Sequence, residues 1–365
     1  MSIETNRTNR EILGFDGVRA IAVLIVMAGH SHISYNLLAE SYPSIYVMFA
    51  STRGVEIFFV LSGFLITTLL LNEHERNGCV SLHNFYVRRA FRILPVYYLF
   101  LVMAIAISIA GHTDFNWSGI PLLLVNMYNY APRSYRSSID GHIWSLAVEW
   151  QYYLIWPAVV SVLITHRLKL LGILAVVIAI SAGIYMFSPR RGYFNYPSWL
   201  IPAVTPIAMG SAAALLVGAR RIHWTIPFIG CALYALPALH AIPFGFGPAV
   251  MAAGIALVIA WIFANQKSVL VKILEFSPLK YIGVISYGLY IWHVFLMGTG
   301  PERIEGQNWP PNQATGFVLL LLIAPLSYHG FELPVQALRK RFLRPNRKQE
   351  PQTLSGPQIQ VVGNQ

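Results

Sequence analysis

Residues 13–31, LGFDGVRAIAVLIVMAGHS, form an apolar stretch of the length of a membrane helix, yet this stretch carries Arg19 and His30. Their eleven-residue spacing corresponds to about three helical turns, so both side chains share one helix face, roughly 16 Å apart along the axis. Ionisable side chains inside a membrane cost free energy and commonly mark a substrate or proton path. The pair therefore predicts a functional path along the first helix.

The composition of the chain is that of a polytopic membrane protein. Of its 365 residues, 56% are hydrophobic and 11% are charged, and the mean hydropathy is +0.55, which is far too apolar for a soluble domain. We expect an all-α fold with about ten transmembrane helices. The predicted spans are residues 12–31, 54–72, 93–111, 143–164, 168–188, 199–218, 225–240, 246–264, 277–297 and 315–335. A shorter piece, Gly119 to Tyr130, is expected to be re-entrant or interfacial.

The positive charge of the chain indicates membrane topology rather than a nucleic-acid surface. The formal net charge is +11, and ten spans with both termini in the cytoplasm place most of the 26 lysines and arginines in inner segments. No basic stripe with interleaved aromatic residues is present in the sequence, so we expect no nucleic-acid partner. Membrane lipids are the expected surroundings. The N-terminus lacks a cleavable signal pattern, so we expect the first helix to be retained.

The remaining features predict one membrane domain and no metal site. Residues 1–338 are expected to form the membrane domain, and residues 339–365 a basic and then disordered cytoplasmic tail. Cys79 lies in a polar loop and Cys231 in an apolar segment. Two cysteines so placed have neither the number nor the spacing of a disulfide framework or a metal site.

A set of polar residues near the outer ends of four predicted helices indicates a shared external cavity. The outer set consists of His30, Arg53, Glu56, His142, Ser145, Glu149 and His293. Within it, His142, Ser145 and Glu149 follow an i, i+3, i+7 pattern, so they lie on one helix face. A common cavity would relieve the cost of desolvating these groups. A histidine near carboxylates also suits the removal of a proton from a hydroxyl group.

A second set, rich in arginine, lies near the inner ends of the helices and suits an anionic ligand. The inner set consists of Asp16, Arg19, Arg88, Arg89, Arg92 and Glu332. Guanidinium groups bind phosphate through paired hydrogen bonds and stay charged at any relevant pH. Together, the two sets indicate group transfer from an activated cytoplasmic donor to an external or mid-membrane acceptor.

Five motifs in order along the chain resemble those of a known family. They are FDGVRAIAVLIVMAGHS (15–31), RGVEIFFVLSGFLIT (53–67), FYVRRAFRILPVYY (85–98), WSLAVEWQYYLIWP (144–157) and ISYGLYIWHV (285–294). Taken jointly, they resemble the acyltransferase-3 family of integral membrane acyltransferases, also called OafA/YrhL-like O-acetylases. The resemblance extends from about Gly14 to Glu332, nearly the whole chain.

This resemblance implies an enzyme of the bacterial cytoplasmic (inner) membrane that transfers an acyl group, usually acetyl, from acyl-CoA. Acceptors in the family are hydroxyl groups of lipopolysaccharide, lipo-oligosaccharide, exopolysaccharide, peptidoglycan or macrolide-type molecules. The resemblance implies that acyl-CoA is a co-substrate, with no permanently bound cofactor. His30 matches the catalytic base, with Arg19 supporting donor binding or passage. Arg89 and Arg92 match the contacts to CoA, and Glu149 matches the acid of the Trp-Ser-Leu-x-x-Glu stretch.

Two departures from the family pattern leave the acceptor and any role of Glu332 open. The chain has Glu-Trp-Gln where many members have Glu-Glu-Gln or Glu-Phe, and Glu-Leu-Pro where many have Glu-Arg-Pro. No esterase-type domain is recognisable after Lys348, so we expect the membrane residues to act alone. We assign Glu56, His142, Ser145 and His293 to acceptor binding, and Glu149 or Glu56 to orienting the imidazole of His30.

Several of these residues also have a structural interpretation. His30 could anchor a helix end at the interface, although its alignment with Arg19 favours catalysis. Arg88 is better explained as a topogenic positive-inside residue. Ser145 could serve as a nucleophile with a histidine base, but a membrane serine more often hydrogen-bonds a neighbouring helix, which we favour.

Three further interpretations stay open from the sequence. Arg53 and Glu56 could simply pair with each other, and His293, with Tyr290 and Ser286, could pack a helix interface. A transporter of an acyl group or a small anion, with Arg19 and His30 as a relay, is the alternative function. No convincing internal repeat supports the transporter. A catalytically inactive scaffold is disfavoured because the costly intramembrane charges are present.

Overall fold

The protein is described here from a computed structural model, which covers residues 12–31, 42–111, 116–137, 139–187, 198–218, 222–239, 246–297, 310 and 312–344. Within these ranges the chain is helical and contains no β-strand. The prediction of an all-α fold is therefore confirmed. Residues 345–365 of the predicted tail lie outside the described residues.

Sixteen α-helices occupy the described ranges. They are α1 (Phe15–Gly29), α2 (Pro43–Phe49), α3 (Ser51–Asn77), α4 (Leu82–Ile109), α5 (Ile120–Leu124), α6 (Ile143–Leu163), α7 (Arg167–Phe187), α8 (Leu200–Ala203), α9 (Thr205–Leu216), α10 (Ile226–Ala235), α11 (Gly247–Ala264), α12 (Val269–Leu274), α13 (Ser277–Val284), α14 (Ser286–Met297), α15 (Gln313–Ser327) and α16 (Leu333–Leu338). A π-helical turn over Tyr328–Glu332 joins α15 to α16.

Six helical segments of the described chain are long and apolar enough to cross a membrane, or seven if α13 and α14 form one bent span. The six are Ser51–Asn77, Leu82–Ile109, Ile143–Leu163, Arg167–Ile184, Gly247–Ala264 and Gln313–Arg341. The predicted count of ten is not confirmed, because other predicted spans are shorter or interrupted. The predicted span 199–218 is split between α8 and α9, where two prolines lie, and 277–297 bends by 69° after Val284.

The short apolar piece between Gly119 and Tyr130 forms only α5, which has five residues, and a 3₁₀ turn over Tyr128–Tyr130. Five helical residues rise about 7.5 Å, far less than the hydrocarbon thickness of a bilayer. The segment is therefore too short to cross as a helix. Its re-entrant or interfacial placement stays a prediction.

Helix α3 is central to the bundle and packs against α1, α6, α9 and α11. Glycines permit the closest approach, as at many membrane helix interfaces. A Cβ atom on Gly63 of α3 would lie 1.9 Å from the carbonyl oxygen of Ile207, and one on Gly210 of α9 would lie 1.9 Å from that of Val60. The backbones of the two helices are therefore in direct contact.

The helix directions place the polar residues at two ends of the bundle. The end where α1 finishes and α3 and α6 begin is called the histidine end, because His30 and His142 lie there. The opposite end, where α1 and α4 begin, is called the arginine end. Helix α1 abuts the start of α3 closely, since a Cβ atom on Gly29 would lie 2.2 Å from the backbone nitrogen of Ser51. This contact holds His30 beside the first turns of α3.

Candidate functional site

Three histidines from distant parts of the chain meet at the histidine end. The ring centroid of His293 lies 5.1 Å from that of His30 and 5.1 Å from that of His142. His142 is 6% exposed and His293 is fully buried, whereas His30 is half-buried. We call these three residues the histidine cluster. The structure thus joins three residues that the sequence could only place near the same membrane depth.

Hydrogen bonds to backbone carbonyls fix the protonated nitrogens of two of these rings. His142 Nε2 lies 3.1 Å from the carbonyl oxygen of Ile291, and His293 Nδ1 lies 2.5 Å from that of Tyr290. A carbonyl oxygen can only accept, so the neutral rings carry their hydrogens on these nitrogens. The opposite nitrogens, Nδ1 of His142 and Nε2 of His293, are buried and have no partner among the described residues. Each offers a lone pair to a donor, such as a hydroxyl group or the ring N–H of a neighbouring histidine.

Ser145 and Tyr290 border the histidine cluster but do not bond to an imidazole nitrogen. The hydroxyl oxygens of Ser145 and Tyr290 lie 2.5 Å apart, so one hydroxyl group donates to the other. The carbonyl oxygen of His142 lies 3.0 Å from the Ser145 hydroxyl and 3.1 Å from the Tyr290 hydroxyl, and it accepts from the hydroxyl group whose hydrogen is left. A serine nucleophile requires a hydrogen bond to its base. This geometry therefore favours the structural interpretation of Ser145.

A cavity of about 80 Å³, lined at one side by Ser145 and Tyr290, extends toward the arginine end. We call it the arginine cavity, because Arg19, Arg89 and Arg92 line it together with Glu149. By volume it could hold several water molecules. Its charged lining residues include three cations and one anion, so it favours an anionic ligand.

Glu149 belongs to the arginine cavity rather than to the histidine cluster. Its carboxylate accepts hydrogen bonds from the hydroxyl groups of Ser62 and Tyr153, and the guanidinium of Arg89 lies 5.3 Å from the centre of the Tyr153 ring. Glu149 follows His142 by about two helical turns, roughly 10 Å along the axis. The structure therefore places the carboxylate of Glu149 in the same cavity as the three arginines. A catalytic role for Glu149 stays a prediction.

The arginines near this cavity differ in their partners. Arg19 pairs with Asp16, and Arg88 pairs with Glu73 at 3.3 Å. Arg89 and Arg92 form no ion pair with any carboxylate in the described part of the chain. They are therefore the arginines with charge available for a ligand, whereas Arg88 has a partner outside the cavity.

A second cavity, of about 180 Å³, lies beyond the arginine cavity and shares Arg19, Arg92 and Tyr287 with it. Asp16 and Glu332 also line it, so we call it the glutamate cavity. Glu332 is 3% exposed and ends the π-helical turn, a distortion that is frequent at functional sites. The position of Glu332 near the inner arginines was predicted from the sequence, but the π-helical turn was not.

Glu56 lies in a different place from the histidine cluster. Its Oε1 atom accepts a hydrogen bond of 2.6 Å from Arg53, which supports the interpretation that the two residues pair. Both line a third cavity, of about 310 Å³, with Trp144. We call it the tryptophan cavity. The four residues assigned to acceptor binding are therefore distributed between the cluster and two cavities.

Three residues of the site, Ser62, Tyr153 and Tyr287, were not predicted from the sequence. Ser62 and Tyr153 hold the carboxylate of Glu149, and Tyr287 lies between the arginine and glutamate cavities. Tyr153 follows Glu149 by four residues, so its position on the same helix face could have been inferred. Ser62 and Tyr287 are on other helices, and the sequence contains no comparable signal for them.

Comparison with known protein families identifies the family of the chain. A family model described as an acyltransferase domain, Acyl_transf_3, matches residues 12–329. The chain belongs to this acyltransferase family. The resemblance inferred from the five motifs is therefore confirmed. No solved structure matches the chain.

Three relatives illustrate the family. The chain is 26% identical to the peptidoglycan O-acetyltransferase OatA of Listeria monocytogenes, with 92% of this chain and 57% of the relative covered. It is also 26% identical to the putative peptidoglycan O-acetyltransferase YrhL of Bacillus subtilis (90% and 55% covered). The O-acetyltransferase OatA of Staphylococcus aureus is again 26% identical (92% and 58%). The chain thus spans little more than half the length of these relatives.

In this member of the acyltransferase family, the residues singled out by the sequence motifs lie in the arginine cavity and in the histidine cluster. Arg19, Arg89 and Arg92 line the arginine cavity, and His30 is in ring contact with His293. Tyr290 connects them, because it lines the arginine cavity and its ring centroid lies 5.4 Å from that of His293. The residues that the sequence motifs singled out thus lie in one cavity and in the adjoining histidine cluster.

Proposed function

We propose that this protein transfers an acyl group, most simply acetyl, from acyl-CoA to a hydroxyl group of a carbohydrate. The observation that carries the proposal is the connection, through Tyr290, between the arginine cavity and the histidine cluster. Membership of an acyltransferase family supports the same reaction.

Arg89 and Arg92 hold the anionic part of acyl-CoA. Both lack a carboxylate partner among the described residues, and guanidinium groups match the geometry of phosphate oxygens. Arg19, already paired with Asp16, contributes positive charge where the arginine and glutamate cavities meet. The acyl thioester then extends toward Tyr290 and the histidine cluster.

His30 acts as the general base at the acceptor hydroxyl. It takes the hydroxyl proton while the oxygen attacks the thioester carbonyl, so a C–O bond forms. The C–S bond then breaks, and the CoA thiolate takes the proton from His30. The lone pairs of His142 and His293 accept hydrogen bonds from the acceptor hydroxyl or from the N–H of His30. Both histidines therefore position the reacting groups.

The acceptor in this proposal is a glycan hydroxyl group. Relatives named as peptidoglycan O-acetyltransferases make peptidoglycan the first acceptor to test, with exopolysaccharide and lipopolysaccharide next. The acyl donor enters from the arginine end, which faces the cytoplasm, and the acceptor from the histidine end. A location in the bacterial inner membrane, with both termini in the cytoplasm, fits this arrangement.

The test uses purified protein in lipid vesicles, [¹⁴C]acetyl-CoA and soluble peptidoglycan fragments. We expect acetylated glycan and released CoA in equal amounts, and we expect His30→Ala to reduce transfer by at least about 100-fold, the contribution of a general base. His223→Ala, which alters an exposed loop histidine, is the control and should retain activity. Full transfer by His30→Ala would refute the base assignment. Transport of acetyl groups without cleavage of the thioester would instead support the transporter.

A further inference from the structure

We propose that the tryptophan cavity is the subsite that binds the sugar ring of the acceptor. This inference rests on the proposed function and assigns its acceptor-binding site. At about 310 Å³, the tryptophan cavity is larger than the arginine cavity of about 80 Å³ and the glutamate cavity of about 180 Å³. Its volume reaches the lower end of the range of roughly 300–1,000 Å³ for small-molecule pockets.

The charge of the cavity walls favours an uncharged ligand. Arg53 and Glu56 are the charged members of its described lining, and they pair with each other at 2.6 Å. The arginine cavity, in contrast, carries two arginines without carboxylate partners. The polyanionic donor therefore belongs in the arginine cavity, and a neutral, hydroxyl-rich ligand suits the tryptophan cavity.

The polar and aromatic groups of the wall match the chemistry of a sugar ring. The second carboxylate oxygen of Glu56, Oε2, is buried and has no hydrogen-bond partner among the described residues. A buried, unsatisfied charged acceptor costs free energy that a hydroxyl donor would recover after a small side-chain movement. Trp144 supplies an aromatic surface with an edge-on contact to Phe59, at 6.2 Å between centroids. Sugar rings present C–H groups on their faces and hydroxyl groups at their edges, which fit such a wall.

Two helices, α6 and α3, place the tryptophan cavity beside the histidine cluster. Helix α6 places Trp144 in the cavity wall two residues after His142, which is in the cluster. Helix α3 begins at Ser51, against Gly29 and hence next to His30, and carries Glu56 in its second turn. A glycan with one ring in the tryptophan cavity can therefore present a hydroxyl group of the same or an adjoining ring to His30.

Cysteine protection tests this site independently of catalysis. Ala249, a half-buried residue of the cavity wall, is changed to cysteine after Cys79→Ser and Cys231→Ser remove the two native thiols. Labelling by a hydrophilic maleimide is followed with and without the peptidoglycan fragments of the transfer assay. A protein that retains Cys79 alone is the matched control, because Cys79 follows α3 at the arginine end.

We expect the fragments to slow labelling of the Ala249→Cys protein and to leave labelling of Cys79 unchanged. Trp144→Ala should raise the fragment concentration for half-protection, and the KM for the acceptor, at least tenfold. Trp144→Phe should change both by less than threefold, and neither variant should change the KM for acetyl-CoA. Glu56→Gln should also raise the fragment concentration for half-protection.

The outcomes separate this inference from the proposed function. Protection without transfer would support the sugar site and contradict the transfer reaction. Transfer by the Ala249→Cys protein without protection would overturn the sugar site and leave the reaction intact. If neither transfer nor protection is observed, both the sugar site and the transfer reaction are contradicted for this glycan. Equal protection at Cys79 would mean that the fragments act non-specifically, which also overturns the site.

Discussion

Replacement of Arg89 by alanine should weaken acetyl-CoA binding, whereas replacement of its neighbour Arg88 should not. Arg89 lines the arginine cavity and has no carboxylate partner in the described chain, but the side chain of Arg88 is 41% exposed and pairs with Glu73 at 3.3 Å. A hydrogen bond to a charged group contributes about 1.5–3 kcal/mol. Since 1.4 kcal/mol is a factor of ten, Arg89→Ala should raise the KM for acetyl-CoA by about 10- to 150-fold.

Arg88→Ala loses an ion pair that lies outside the arginine cavity and whose arginine side chain is largely accessible to solvent, so its KM should change by less than about fivefold. Arg89→Lys keeps the charge but loses the paired hydrogen bonds, and an intermediate KM is expected. The maximal rate should change little in all three variants, because the phosphates are remote from the reacting carbonyl. Initial rates are measured in vesicles at saturating acceptor. Equal KM values for Arg88→Ala and Arg89→Ala would mean that the arginines act only through topology, and the donor-site assignment would then be wrong.

Three further predictions concern packing, a loop carboxyl and a serine. A Cβ atom on Gly210 would lie 1.9 Å from a backbone oxygen of α3, so Gly210→Ala should destabilise the protein by about 1–3 kcal/mol. Gly183→Ala, where nothing lies within 4 Å, should be neutral or slightly stabilising in the same thermal unfolding assay in detergent. Burial raises the pKa of Asp140, in the loop before α6, from 3.8 to about 6 despite donors such as Tyr128. The folded-state pKa of Asp140 is therefore above its unfolded value, so the free energy of unfolding should fall as the pH rises from about 4 to above 6. Asp140→Asn should flatten this pH dependence. An unchanged slope in the variant would mean that Asp140 does not cause it. Ser145→Ala should lower the transfer rate by no more than about tenfold, the effect of a lost neutral hydrogen bond, and a loss above about a thousandfold would instead identify a nucleophile.

The sequence alone was sufficient for the fold class and for residue placement within single helices. Hydrophobic runs identified the helical regions, and helical spacing placed Ser145 and Glu149 on one face of α6, with His142 directly before its first residue. The motif containing Arg19 and His30 led to the family that the domain match confirmed. These features depend on local periodicity and on side-chain chemistry, and both can be read directly from the sequence.

The sequence could not determine the number or the continuity of the spans. Helix α1 has 15 residues, and the predicted span over 277–297 bends by 69°. Prolines and turns interrupt runs that hydropathy treats as continuous, because a hydropathy sum does not register where a backbone hydrogen bond is lost. The number of crossings therefore depends on how neighbouring helices pack around each break.

The tertiary structure decided which polar residues meet. His30 and His293 are separated by most of the chain, yet their rings are 5.1 Å apart, while Glu149 lies against the arginines instead of the imidazoles. The spacing of residues in the sequence shows on which face of its own helix a side chain lies. It does not show which neighbouring helix that face contacts. Contacts such as Gly29 against Ser51 fix that orientation, because backbone packing between helices leaves little freedom to rotate. The sequence by itself thus determined the membrane class, the family and the residue types, and helix packing decided the histidine cluster and its separation from the arginine cavity.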